Sequence, residues 1–128
     1  LDDTIPQSTE GVEVITVAIT PKSATSTLHV QAVVYLTEET NTAEAGIVAI
    51  FRDSTANSIG CGMSDEYDNA FYPSACYTSC SVSSSSIAAT TFKVRAGLNA
   101  GTVNVNGKTA RFLGGMLLSS IVVTEVVS

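Results

Sequence analysis

Apolar residues in this chain return at every second position far more often than at every third or fourth, and a period of two belongs to β-strands. Leu28, Val30, Ala32, Val34 and Leu36 share one face of a run whose other face carries His29, Gln31, Val33 and Tyr35. Thr91 to Ala96 repeats the pattern, with Phe92, Val94 and Ala96 inward and Thr91, Lys93 and Arg95 outward. Further strands are predicted over Val12–Ile19, Ala45–Arg52, Ser58–Met63, Ala75–Val82, Thr102–Val105 and Met116–Val127. Turn chemistry punctuates them. Pro21 stops the first run because proline cannot donate to a ladder. Asn106-Gly107 predicts a type I′ hairpin, whose two central residues need positive φ, and Gly114-Gly115 predicts a bend before the last strand. Thr37–Glu44 and Ser64–Tyr72 read as polar loops and Ser83–Ser86 as a low-complexity turn. About eight short strands at this spacing predict an all-β fold, a two-sheet antiparallel β-sandwich of jelly-roll-like form.

Two strands are apolar on both faces. The first places Val14 opposite Ile15, Val17 and Ile19, and the last places Val122 and Val126 opposite Ile121, Val123 and Val127. A strand of a solitary sandwich needs one apolar face. The second predicts a neighbouring subunit, unless the β-branched side chains simply suit an exposed pleat.

Composition strengthens the first option. Only 14% of residues are charged, where about a quarter is usual, so the chain has few charges with which to cover a surface. Its 16 Ser and 16 Thr supply polarity instead. An apolar content of 45% excludes a disordered chain. Six Lys and Arg against twelve Asp and Glu leave a net charge of −6, which excludes the basic stripe that nucleic-acid binding needs. No apolar run is long enough for a membrane-spanning helix, so no membrane insertion is expected. At 128 residues the chain is read as one domain, residues 1–128. It opens on Leu-Asp-Asp-Thr without an initiator Met or a signal peptide, and is read as the C-terminal part of a longer chain.

Catalytic chemistry is hard to assemble. His29 is the one histidine, at an alternating strand position, and no G-x-S-x-G elbow accompanies the many serines. No enzyme, no catalytic residue and no cofactor is expected. Asp65, Glu66 and Asp68 cluster, but adjacent loop carboxylates are commonly a solvated tip. Asp65, Asp68 and Asn69 offer hard oxygen atoms of the kind Ca²⁺ takes, without the spacing of a calcium loop, so no metal site is assigned. Cys61, Cys76 and Cys80 fit no zinc pattern. Cys76 and Cys80 share a strand face about 13 Å apart at ~3.3 Å per residue, too far to bond. Whether Cys61 pairs with either is left open, with buried thiols as the default. Tyr67, Phe71, Tyr72 and Tyr77 lie near Asp65, Asp68 and Asn69. Aromatic faces flanked by acceptors suit sugar recognition, so Asp65, Tyr67, Asp68, Asn69, Tyr72 and Tyr77 are the candidate ligand-binding residues. The alternative is that these aromatics plug one end of the sandwich or a subunit seam.

The segments T-I-P-Q-S-T-E-G (residues 4–11), A-I-T-P-K-S-A-T (18–25), F-R-D-S-T-A-N (51–57), T-T-F-K-V-R-A-G (90–97), G-T-V-N-V-N-G (101–107) and L-G-G-M-L-L-S-S-I-V-V-T-E-V (113–126) resemble C-terminal domains of tailed-bacteriophage tail fibres and tailspikes. That resemblance implies a non-enzymatic homotrimeric knob on a virion tail appendage, assembled in the host cytoplasm and contacting host-surface polysaccharide. It carries no catalytic residues. A carbohydrate-binding module or lectin of a secreted protein, and a capsid decoration or head-fibre protein, are the alternatives.

Overall fold

The computed structural model describes residues 3–38, 45–65 and 72–128. Its strands are β1 (Val12–Ile19), β2 (Thr27–Glu38), β3 (Ala45–Arg52), β4 (Gly60–Asp65), β5 (Ser74–Ser83), β6 (Thr90–Leu98), β7 (Val103–Val105) and β8 (Ser120–Val126). They form two four-stranded sheets. The first runs β1-β6-β3-β4. The second centres on β2, with β5 on one side and β7 and β8 end to end along the other. All pairings are antiparallel. The chain passes from one sheet to the other between most consecutive strands, and the expected two-sheet sandwich is what forms.

The alternation of β2 and β6 builds the core. Leu28, Val30, Val34 and Leu36 of β2 meet Phe92 and Val94 of β6 and Val48 and Ile50 of β3, all fully buried. Burial of a side chain of this size contributes roughly 1.5–3 kcal/mol. Cys76 joins them from β5.

Three local expectations are corrected. In β1, Glu13 pairs with Arg95 and Ile15 with Val94, so Val14 is the extra residue of a bulge. It therefore packs on the core with Val17 and Ile19 instead of facing away from them. The Asn106-Gly107 hairpin does not form. Asn106 has φ 62° but Gly107 does not share the left-handed region, and β7 pairs with β2. Asn106 instead joins β7 to β8. Its Oδ1 accepts the Ser119 amide at 2.8 Å and the Ser119 hydroxyl at 2.6 Å. The Ser119 oxygen in turn accepts the Tyr35 amide, while the Asn106 amide donates to the Tyr35 carbonyl. Residues 116–119, expected in the last strand, belong to an excursion over 106–119 that leaves the β2 edge at Leu36 and rejoins it at Val33. A 3₁₀ turn, Phe112–Gly115, sits inside it, with Leu113 and Gly114 at positive φ.

Gly60 and Gly62 close the side of the sandwich between β4 and β5. A Cβ on Gly62 would collide with the Tyr77 carbonyl oxygen and lie 3.2 Å from Thr78 Cβ. The glycines let two backbones approach where the sheets meet.

Candidate functional site

The two outer sheet faces differ in charge. The face of β1-β6-β3-β4 carries Glu13, Lys93 and Arg95 and is partly covered by the chain's own residues 4–11. Pro6 and Ser8 of this strap hydrogen-bond to Ser58 and Ala56. The Arg95 guanidinium donates to the Glu10 and Gly11 carbonyls at 2.7 Å each. Gly11 makes the turn at φ 61°, where a Cβ would strike the Ala96 carbonyl. Beneath the strap, Ala49 and Phe51 are buried on the side of β3 away from the core. A groove of about 580 Å³ remains between strap and sheet, walled by Ile47, Phe51, Cys61, Met63 and Leu98. Its polar rim is already engaged: Gln7 holds Asn57 and the Ile5 carbonyl, and Asn99 Oδ1 accepts the Ala45 amide.

Among the described residues, the strands of the second sheet place no Asp, Glu, Lys or Arg on its outer face. β5 contributes Ala75, Tyr77, Ser79, Ser81 and Ser83, β2 contributes His29, Gln31, Val33 and Tyr35, and β8 contributes Ser120, Val122, Thr124 and Val126. Tyr77, Val122 and Val126 are about half exposed, at 55%, 52% and 48%. Gln31 donates to the Tyr77 hydroxyl at 3.0 Å, and His29 Nδ1 lies 2.7 Å from the Ser81 hydroxyl. At its edge, the excursion F-L-G-G-M-L-L (112–118) leaves Leu113, Met116 and Leu118 exposed. Exposed apolar side chains scattered singly are ordinary, but a contiguous set marks an interaction surface.

Among the described residues, the candidate ligand residues fall on separate elements. Tyr77 belongs to this uncharged face, while Tyr72 is highly exposed ahead of β5. Asp65 ends β4 in the other sheet. Tyr67, Asp68 and Asn69, with Glu66 and Phe71, lie outside the described residues. Cys61 is an exposed thiol, Cys76 a buried one and Cys80 an intermediate one, and none is in a disulfide. Partial burial pushes the Cys80 thiol up from its ordinary range. Among the described residues no three His, Cys, Asp or Glu side chains form a metal-holding group, and no helix is long and apolar enough to cross a membrane.

The remaining charges fasten the fold. Arg52 reaches across the sandwich to the Ser83 and Ser84 carbonyls at 2.7 and 2.6 Å and to the Thr90 hydroxyl at 3.1 Å. Asp53 accepts the Thr91 amide and the Thr90 hydroxyl. The Thr91 amide, with Thr90 and Arg52 assisting, holds its carboxyl below the usual range. Glu125 Oε1 accepts the Ser26 hydroxyl at 2.6 Å and the Lys22 and Ser23 amides, locking β8 to the β1–β2 connection.

These fastenings account for the segments that resemble phage appendages. F-R-D-S-T holds the Arg52–Asp53 clasp, T-E-V the Glu125 lock and T-I-P-Q-S-T-E-G the strap. Comparison with protein-family models matches residues 2–128 to the Pgp3 C-terminal domain, and no curated protein matches the chain. The Pgp3 family is chlamydial, which overturns the tail-fibre and tailspike reading together with its virion localisation. The match likewise lends no support to a carbohydrate-binding module or lectin, or to a capsid decoration or head-fibre protein. With all but the first residue covered by the match, the chain belongs to the Pgp3 C-terminal domain family.

Proposed function

We propose that this domain is a non-catalytic self-association module that assembles as a homotrimer through the outer face of the β5-β2-β8 sheet. The observation that carries this reading is the charge-free face itself, with exposed Tyr77, Val122 and Val126 continued at its edge by exposed Leu113, Met116 and Leu118. Removing such surface from water is favourable by roughly 25 cal/mol per Å². No ionised side chain on this face has to be desolvated in the process. The flat face and the protruding edge are different surfaces of one copy. When each copy offers its face to one neighbour and its edge to another, the contact is heterologous, and such contacts close into a ring when the rotation allows. Three is the smallest such ring.

Insertion of a charge on the β8 side of the face tests this. Val122→Asp places a carboxylate on an exposed strand position, where the isolated fold tolerates it, yet inside the contact, where an unpaired buried charge is costly. Sedimentation velocity should show the wild-type trimer and a dissociated variant with unchanged far-UV circular dichroism. A variant that associates as the wild type does would remove this face from the interface.

A further inference from the structure

Among the described residues, His29 is the one imidazole on the charge-free face, and imidazole is the side-chain class whose charge changes in mildly acid solution. It lies in β2 between Ser81 of β5 and Thr124 of β8, and a shallow hollow of about 500 Å³ opens around it, lined also by Gln31 and Ser79. Among the described residues, the strands around it offer an imidazolium no counter-charge. The other titratable side chains on this face are the phenols of Tyr35 and Tyr77, a class uncharged at neutral and acid pH, and β8 presents none. Glu125 follows Thr124 but turns to the opposite side, where Ser26, Lys22 and Ser23 occupy its Oε1. Cys80 packs toward the core, and Ser128, beyond β8, is bound through its hydroxyl to Thr25. In the face-to-edge contact the covering surface is the 106–119 excursion of the next copy, whose charged side chains are Lys108 and Arg111, bases and not acids.

We propose that His29 makes self-association acid-sensitive, because the neutral imidazole can be covered by a neighbouring copy and the imidazolium cannot. The inference rests on the self-association reading above. It follows from placement: a buried charge without a partner sheds its proton or leaves the contact. A contact that admits only the neutral imidazole makes the assembly bind fewer protons than the separate copies, so acid weakens it.

Sedimentation equilibrium of the wild type, His29→Gln and His29→Asn at pH 7.5 and pH 5.5 tests it. The wild-type assembly should lose association between pH 7.5 and pH 5.5, with both variants nearly indifferent to pH. Glutamates remain ionised at pH 5.5, so the Glu125 lock does not confound the comparison. Equal association of the wild type at both pH values overturns the His29 inference and leaves self-association standing. So does an identical acid loss in both variants. A wild-type monomer at pH 7.5 overturns the self-association reading, and this inference with it.

Discussion

Replacing Gly62 by alanine should damage the sandwich far more than the same change at Gly60. Both glycines lie in β4 where it packs on β5. At Gly60 the added methyl would meet the Cys80 Cβ at 3.0 Å and the Ser79 carbonyl at 3.3 Å, a tight contact whose nearest atom belongs to a side chain. At Gly62 it would overlap the Tyr77 carbonyl oxygen, with the carbonyl carbon at 3.0 Å and Thr78 Cβ at 3.2 Å. Backbone cannot swing aside, so β4 must separate from β5 along the whole seam. Overpacking typically costs about 1–3 kcal/mol. Gly60→Ala belongs at the lower end, about 1 kcal/mol, and Gly62→Ala at the upper end or beyond it. For a domain of this size each kcal/mol shifts the melting temperature by about 3–5 °C, so Gly62→Ala should melt roughly 10 °C below the wild type. Urea denaturation at one fixed chain concentration separates the cases, because association would otherwise shift the midpoint. Equal effects at the two positions, or a Gly62→Ala loss under about 0.5 kcal/mol, would refute the close approach of β4 and β5.

Three further outcomes follow from the fastenings. Arg52→Ala removes the donors that hold the Ser83 and Ser84 carbonyls and the Thr90 hydroxyl; it should cost about 2 kcal/mol by urea denaturation. Asn106→Ala loses the acceptor for Ser119 and places alanine at φ 62°, about 2 kcal/mol together, whereas Asn106→Gly keeps the backbone relaxed and should cost about half of that. Glu125 is held below its ordinary value of 4.5, chiefly by the Ser26 hydroxyl and further by the Lys22 and Ser23 amides. The folded state therefore favours the carboxylate. Its stabilisation is complete above the unfolded value and disappears as pH falls through the lowered folded one. Urea midpoints should drop below about pH 4.5, and Glu125→Gln should flatten part of that decline; an unchanged acid limb in the variant would exclude the lock.

How much of this was legible in the sequence depends on distance along the chain. The alternation of β2 and β6 is local, and their inward residues were identified one by one. The bulge at Val14 is invisible to simple alternation because it depends on pairing with Arg95 and Val94. Asn106-Gly107 carries hairpin chemistry, yet the neighbour that captures Asn106 is Ser119, held against Tyr35 from far upstream. The run Ala45–Arg52 shows apolar residues on both faces, but not that residues 4–11 return to cover Ala49 and Phe51. The apolar outer residues of β8 pointed to a self-association face. The sequence did not show that the neighbouring strands leave this face without charge, since that requires the order β5-β2-β8. Of the aromatic and acidic cluster, Tyr77 and Asp65, twelve residues apart in the chain, end on different sheets for the same reason.

The central claim is that the charge-free face is buried against further copies of the chain. Sedimentation equilibrium at micromolar concentration and neutral pH measures it most directly. The account predicts a single species of three times the 13.2 kDa chain mass. A species of 13.2 kDa that persists across that concentration range would contradict it.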